Sequence, residues 1–210
     1  MSLSKTLASL TVLSALTALA GSSHAAITGA SGQANWLLSA PASALPGALP
    51  GLPAYCWDEK TNVNHSGLNV NITSNGVYTG NTFYSGVVSG MFDSHMIHFD
   101  ASSGVANAQG AVTFSSNVVA VIYDNVLLDL TDASLGHPST IYPTTNPQRS
   151  SSLFLGPSTV VVSGNVVQFD LWITPANFMS ELRVLTHSVP TPGSMALLGL
   201  GGLTCLRRRR

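Results

Sequence analysis

The chain has 210 residues, of which only 8 are Lys or Arg and 9 are Asp or Glu, far below the quarter or so of charged residues usual in a soluble enzyme. Between Ala26 and Ser188 only Lys60, Arg149 and Arg183 oppose nine acids, Asp58, Glu59, Asp93, Asp100, Asp124, Asp129, Asp132, Asp170 and Glu181, a net charge of −6. Such a body repels phosphate backbones, so no nucleic-acid partner is expected, and its length is that of one ordinary domain.

Residues 1–25 follow the order of a secretory signal peptide. Lys5 supplies the positive start, Leu7 to Ala20 is apolar and uncharged, and Ser23-His24-Ala25 ends in small residues at the places a signal peptidase reads. Cleavage is expected between Ala25 and Ala26, after delivery by Sec-type export machinery. The apolar run of about 14 residues falls short of the roughly 20 that span a bilayer.

Residues 26–53 are rich in Ala, Ser, Gly and Pro, with Trp36, Leu37 and Leu38 as one apolar knot. The segment reads as a loose arm, or a first strand, followed by a linker. Cys56 comes next. The other cysteine, Cys205, lies in the tail, so Cys56 is left without a partner if the tail is removed, and burial beside Trp57 is the expected fate.

Over 54–188 the apolar residues come in short β-branched runs separated by Gly, Asn, Ser and Asp, with period-2 alternation and no sustained 3.6-residue stripe. This pattern predicts an all-β body, an antiparallel β-sandwich or jelly-roll-like domain of roughly eight or nine strands. Its best hairpin is Ser158 to Ile173, in which two valine-rich strands flank Ser163-Gly164-Asn165, Gly supplying the positive φ of a short connection.

Candidate chemistry within the body is sparse. His95 and His98, three apart on one strand, point to opposite faces, whereas His98 and Asp100 share one; two ligands do not complete a metal site. Asp124, Asp129 and Asp132 offer oxygens of the kind calcium takes, but their spacing matches no EF-hand, and they read as solvated loop acids. Glu59 and Glu181 are carboxylates a glycosidase could use, with nothing in the sequence to bring them together. Ser, His and Asp stand in no triad order, and Asn71-Ile72-Thr73 fits a glycosylation sequon with structural meaning only. Trp57, Trp172 and Tyr142 could line a sugar-binding face or fill the core. The body is thus read as non-catalytic, with no cofactor and no resident metal, and with a carbohydrate- or calcium-binding module as the alternative.

The last 22 residues combine three parts: Val189-Pro190-Thr191-Pro192-Gly193, an uncharged apolar segment from Ser194 to Leu206, and the basic stop Arg207, Arg208, Arg209 and Arg210. About thirteen apolar residues make a marginal membrane span, and terminal arginines resist crossing the bilayer, so transient membrane association is expected. The arrangement resembles the PEP-CTERM sorting signal of Gram-negative and related bacteria, with Thr191 where that motif usually has Glu. The resemblance implies a short hydrophobic helix recognised and cut by an exosortase-type membrane enzyme. The body also resembles a domain that often precedes such tails, through Ser94 to Asp100, Gly110 to Phe114, Asp129 to Asp132, Leu135 to Pro143 and Leu182 to Thr186.

The expected organisation is therefore a signal peptide over 1–25, an arm and linker over 26–53, a β-sandwich over 54–188 and a PEP-CTERM-like sorting tail over 189–210, with helices at the two ends. An exported protein of the cell surface, outer envelope or extracellular matrix follows, structural or adhesive in role, with extracellular polysaccharide as a further partner.

Overall fold

A computed structural model describes residues 25–188 apart from 52, 80–83, 101–105, 145–148, 150–157 and 174–178. The expected signal peptide, apart from Ala25, and the expected sorting tail lie outside the described residues. Ala25–Ser188 forms one compact unit.

The chain runs β1 (Ile27–Gly32), β2 (Ala34–Trp36), β3 (Ala54–Asp58), β4 (Val63–Val70), β5 (Gly76–Thr79), β6 (Gly86–Asp100), β7 (Ala106–Phe114), β8 (Val118–Ile122), α1 (Asn125–Leu135), β9 (Thr159–Ser163), β10 (Val166–Ile173) and β11 (Met179–His187). Sheet A has the order β1-β7-β10-β9-β5 and sheet B the order β2-β3-β6-β11-β8, with β4 paired to β6 as well. The predominantly β body expected from the alternation is observed. β2 and β3 pair in parallel, so sheet B is mixed where antiparallel pairing was expected.

Alternation decides what lies between the sheets. Along β10, Val167, Phe169, Leu171 and Ile173 are buried while Gln168 is exposed, and Ile97, Phe99, Leu182 and Val184 approach them from sheet B in one core cluster. Each such side chain, fully buried, contributes about 1.5–3 kcal/mol. The expected hairpin joins β9 to β10 with Val166 opposite Ser163. Gly164 has φ +60°, and a positive φ at the first of two loop residues is what a II′ connection demands.

As far as Trp36 the segment 26–53 forms two strands, β1 and β2, and not a loose arm. Gly32, at φ +68°, turns the chain from β1 in sheet A to β2 in sheet B; a Cβ there would meet the Gln109 carbonyl oxygen at 2.7 Å. The stretch that follows lies against sheet B, with Ala44 N donating to Ile141 O at 2.9 Å and Gly51 N to Asp100 O at 3.1 Å.

One helix corrects the reading of Asp124 to Asp132 as loop. Asp124 caps α1, its Oδ1 accepting from Val126 N at 3.0 Å and Leu127 N at 3.2 Å, the usual geometry of an acidic N-cap. Only Leu128, Thr131 and Leu135 of α1 are buried. Two leucines and a threonine make too thin a stripe to register as helical periodicity.

Because α1 and its flanking segments cover sheet B, β11 is buried on both faces from Met179 to Thr186. Among the described residues no helix is long and apolar enough to cross a membrane.

Candidate functional site

The outer face of sheet B gathers most of the body's charged side chains. Strand register alone aligns Tyr55, His98 and Glu181 in one row and Trp57, Met96 and Arg183 in the next. Directly opposed residues of antiparallel strands share a face, so Glu181 and Arg183, two apart, point the same way. α1 then lowers Asp129, Thr131 and Asp132 onto the rows, and the segment after it adds Tyr142 and Arg149.

Arg183 sits at one centre. Its Nε and Nη2 grip Glu59 Oε2 and Oε1 at 2.8 and 2.9 Å, the bidentate geometry that suits a planar guanidinium. Nη2 also reaches Asp132 Oδ1 at 2.8 Å, and Nη1 donates to Thr131 Oγ1 at 2.7 Å and Leu128 O at 3.2 Å. All five of its N–H donors are thereby engaged.

Arg149 forms the other centre, donating from Nε to Glu181 Oε2, from Nη1 to Asp129 Oδ1 at 2.8 Å and Asp132 Oδ2 at 2.5 Å, and from Nη2 to Asp132 Oδ1 at 2.8 Å. Both cations lie near the Tyr142 ring, Arg149 Cζ at 5.7 Å and Arg183 Cζ at 5.4 Å from its centroid. Its hydroxyl donates to Glu59 Oε1 at 2.6 Å, and Ser94 Oγ donates to Glu59 Oε2 at 2.6 Å. His98 Nδ1 meets Glu181 Oε1 at 2.8 Å, while its Nε2 stands 3.9 Å from Asp100 Oδ2, within reach of its charge but too far for a direct hydrogen bond.

Burial and neighbours set the protonation states. Burial alone would raise the Glu181 pKa, but Arg149 and His98 outweigh it and hold the carboxyl at about 2. Burial alone would lower the His98 pKa, but Asp100 and Glu181 outweigh it and lift the imidazole to about 9. Burial, with Glu59 adding to it, pushes the Tyr142 phenol up. Burial and Asp58 raise the Cys56 thiol to about 12, so this cysteine, buried as expected, is not a thiolate nucleophile. It faces the inter-sheet core, on the opposite side of β3 from Trp57.

The structure thus brings together Glu59, Glu181, His98 and Asp100, the residues whose convergence in a cleft a secreted hydrolase would require, but it adds Asp129 and Asp132 and sets them all around two arginines beneath α1. A general acid or base must reach substrate with a pKa near the working pH; Glu181 and His98 are both fully buried and held far to either side of neutrality. The arrangement is an ionic lock between sheet B, α1 and the segment carrying Tyr142 and Arg149. Sequence reasoning missed the two arginines at its centre. The available signal was Glu181-x-Arg183 in an otherwise apolar strand, where period 2 puts both charges on one face.

The other candidates separate. Asp124 caps α1, while Asp129 and Asp132 bind Arg149, and among the described residues no group of His, Cys, Asp or Glu is arranged to hold a metal ion. Adding calcium or EDTA is accordingly expected to leave the thermal midpoint unchanged; a rise with calcium would mean that these aspartates leave Arg149 for the ion. His95 faces inward, on the opposite face from His98 as the alternation predicted, bonded to Asp58 Oδ1 at 2.7 Å and Thr186 Oγ1 at 3.0 Å. Asn71 is buried and its Oδ1 accepts from Tyr123 N at 2.8 Å and Asp124 N at 3.0 Å, a structural role. Trp57 is buried and Trp172 half-buried on the other sheet, so no coplanar exposed row of Trp57, Trp172 and Tyr142 exists.

A separate cluster joins the ends of the described body. The Asp93 carboxylate is buried; its Oδ2 accepts from Ala25 N at 2.7 Å, and its Oδ1 from Asn62 N at 2.6 Å and Ser188 Oγ at 2.9 Å. One side chain of β6 therefore fastens both Ala25 and Ser188.

Searches against protein-family models, curated proteins and solved structures find no match for this chain.

Proposed function

We propose that this chain is an exported, non-catalytic β-sandwich protein of the cell surface or extracellular matrix, with a structural or adhesive role. Sec-type machinery delivers it through the signal peptide of residues 1–25, and an exosortase-type enzyme processes it at Val189-Pro190-Thr191-Pro192-Gly193. The apolar segment and Arg207, Arg208, Arg209 and Arg210 hold it in the membrane until then.

The observation that supports this reading is where the compact body stops. It spans Ala25 to Ser188, one residue before the start expected after signal cleavage and a few residues before Pro190-Thr191-Pro192, and Ser188 Oγ donates to the buried Asp93 carboxylate at 2.9 Å. A body whose boundaries coincide with its processing signals stays folded when those signals are cut away. The lock beneath α1 supports the non-catalytic part, because its acids are matched to arginines instead of facing a substrate.

Intact-mass analysis of protein recovered from the cell surface and medium tests the proposal, beside a variant lacking residues 189–210. The expected product starts at Ala26 and ends within Pro190-Thr191-Pro192, and the truncated variant is released without tail processing. A product that keeps its arginines overturns the exosortase reading.

Of the alternative ligands, calcium loses its support with Asp124, Asp129 and Asp132 otherwise engaged. Carbohydrate keeps one of the aromatics the sequence singled out, Trp172, half-buried on β10 of sheet A.

A further inference from the structure

The outer face of sheet A is chemically unlike an ordinary wet sheet surface. Its five strands, ITGASG, GVYT, ANAQGAVTF, TVVVS and VVQFDLWI, contain no Lys, Arg or Glu, and Asp170 is their one charged residue. Solvent-facing strands are normally kept soluble and unpaired by charge, lysine above all. Here amides and hydroxyls take that place.

The register concentrates them. On β10, Gln168, Asp170 and Trp172 point outward; Asp170 lies opposite Gln109 of β7 and Thr159 of β9, and Trp172 lies opposite Asn107. Gln109 Nε2 donates to Asp170 Oδ2 at 2.9 Å and Asn107 Nδ2 to Asp170 Oδ1 at 3.2 Å. The carboxylate fixes both amides, leaving their carbonyl oxygens and remaining N–H groups for another partner. A depression of about 460 Å³ runs beside this triad, lined by Gln109, Thr159, Val161, Gln168 and Asp170 among others.

We infer that this face is a binding site for a neutral polysaccharide. Adjacent sugar hydroxyls each offer a donor and an acceptor, which paired amide and carboxylate groups match. Apolar C–H faces of sugar rings fit Val161 and the half-buried Trp172. Anionic polymers meet no cation on these strands and one carboxylate that repels them, and a metal ion would have to displace two amide donors from Asp170. Prior fixing of Asn107 and Gln109 reduces the side-chain ordering that binding would otherwise require.

The inference deepens the proposed surface role by naming its partner, and rests on that reading only for where the protein meets the polymer. Binding is measured on the purified full chain whatever becomes of its ends, so failure of one proposal is separable from failure of the other. The probes are a soluble β-glucan, a soluble α-glucan, a galactomannan and, as anionic comparator, alginate, each cast into native gels.

Retardation by at least one neutral polymer and none by alginate is expected. Gln168→Ala and Asp170→Ala should each weaken it by about tenfold, the loss of one or two hydrogen bonds, with thermal midpoints unchanged; Leu130→Ala, at an exposed position of α1, should bind as the parent does. No retardation by any neutral polymer, retention by alginate alone, or full binding by the Gln168 and Asp170 variants overturns the inference. So does a dimer that Gln168→Arg disperses, which would assign the face to a second copy of the chain.

Discussion

Replacing Arg183 with methionine is expected to destabilise the protein by about 3–5 kcal/mol, the cost of leaving a buried ion without its partner. The substitution keeps most of the side-chain volume, so the loss is electrostatic: Glu59 loses both guanidinium bonds and Asp132 one of its two cations. Thr131 Oγ1 and Leu128 O also lose a donor. Urea unfolding should show a large fall in midpoint at nearly unchanged slope, and the thermal midpoint should drop by about 10 °C for a domain of this size.

Adding Glu59→Gln to the same chain should recover part of the loss, because a neutral amide no longer needs the cation; the coupling is read from a double-mutant cycle. A fall below about 1 kcal/mol for Arg183→Met would mean that the pair is as weak as a surface salt bridge, and the lock would lose its structural meaning.

Stability should also depend on pH in a direction fixed by His98 and Glu181. His98 has a folded pKa of about 9 against an ordinary 6.5. Its contribution is complete below pH 6.5 and disappears as the pH rises through 9. Glu181 is at about 2 against an ordinary 4.5, so its contribution is complete above pH 4.5 and disappears as the pH falls through 2. Each limb is on the order of 3 kcal/mol.

A plateau near pH 4.5 to 6.5 follows, with declines on both sides. Thermal midpoints measured from pH 3 to 9.5 check it. His98→Gln should flatten the alkaline limb while lowering the plateau, because the uncharged amide still reaches Glu181 but no longer titrates. An alkaline limb that persists in this variant would assign the decline to another group.

Some of this was legible residue by residue. The β9–β10 hairpin could be read because alternating valines and Gly164 act within sixteen neighbouring positions of chain. The opposite orientation of His95 and His98 followed from strand geometry alone. By contrast α1 was invisible, since its cap at Asp124 and its thin stripe of Leu128, Thr131 and Leu135 matter only once sheet B offers a surface to cover. The arginines were equally silent. Arg149 joins Asp129 and Asp132 from α1 to Glu181 of β11, three segments with no shared local pattern.

What the sequence by itself determined is whatever short-range physics dictates: period-2 alternation made the body β, the excess of acids set the expectation of no nucleic-acid partner, and the order of apolar and basic residues at each end set the expectation of export. Only the tertiary structure decided what the few charges do. Ion pairs are made between residues far apart in the chain, such as Glu59 and Arg183, and folding fixes their distances by stacking α1 on sheet B. The same packing turned Asp129 and Asp132, which read as solvated loop acids, and Glu59 and Glu181, which nothing in the sequence brings together, into counterions, and it brought Ala25 and Ser188 to one carboxylate on β6.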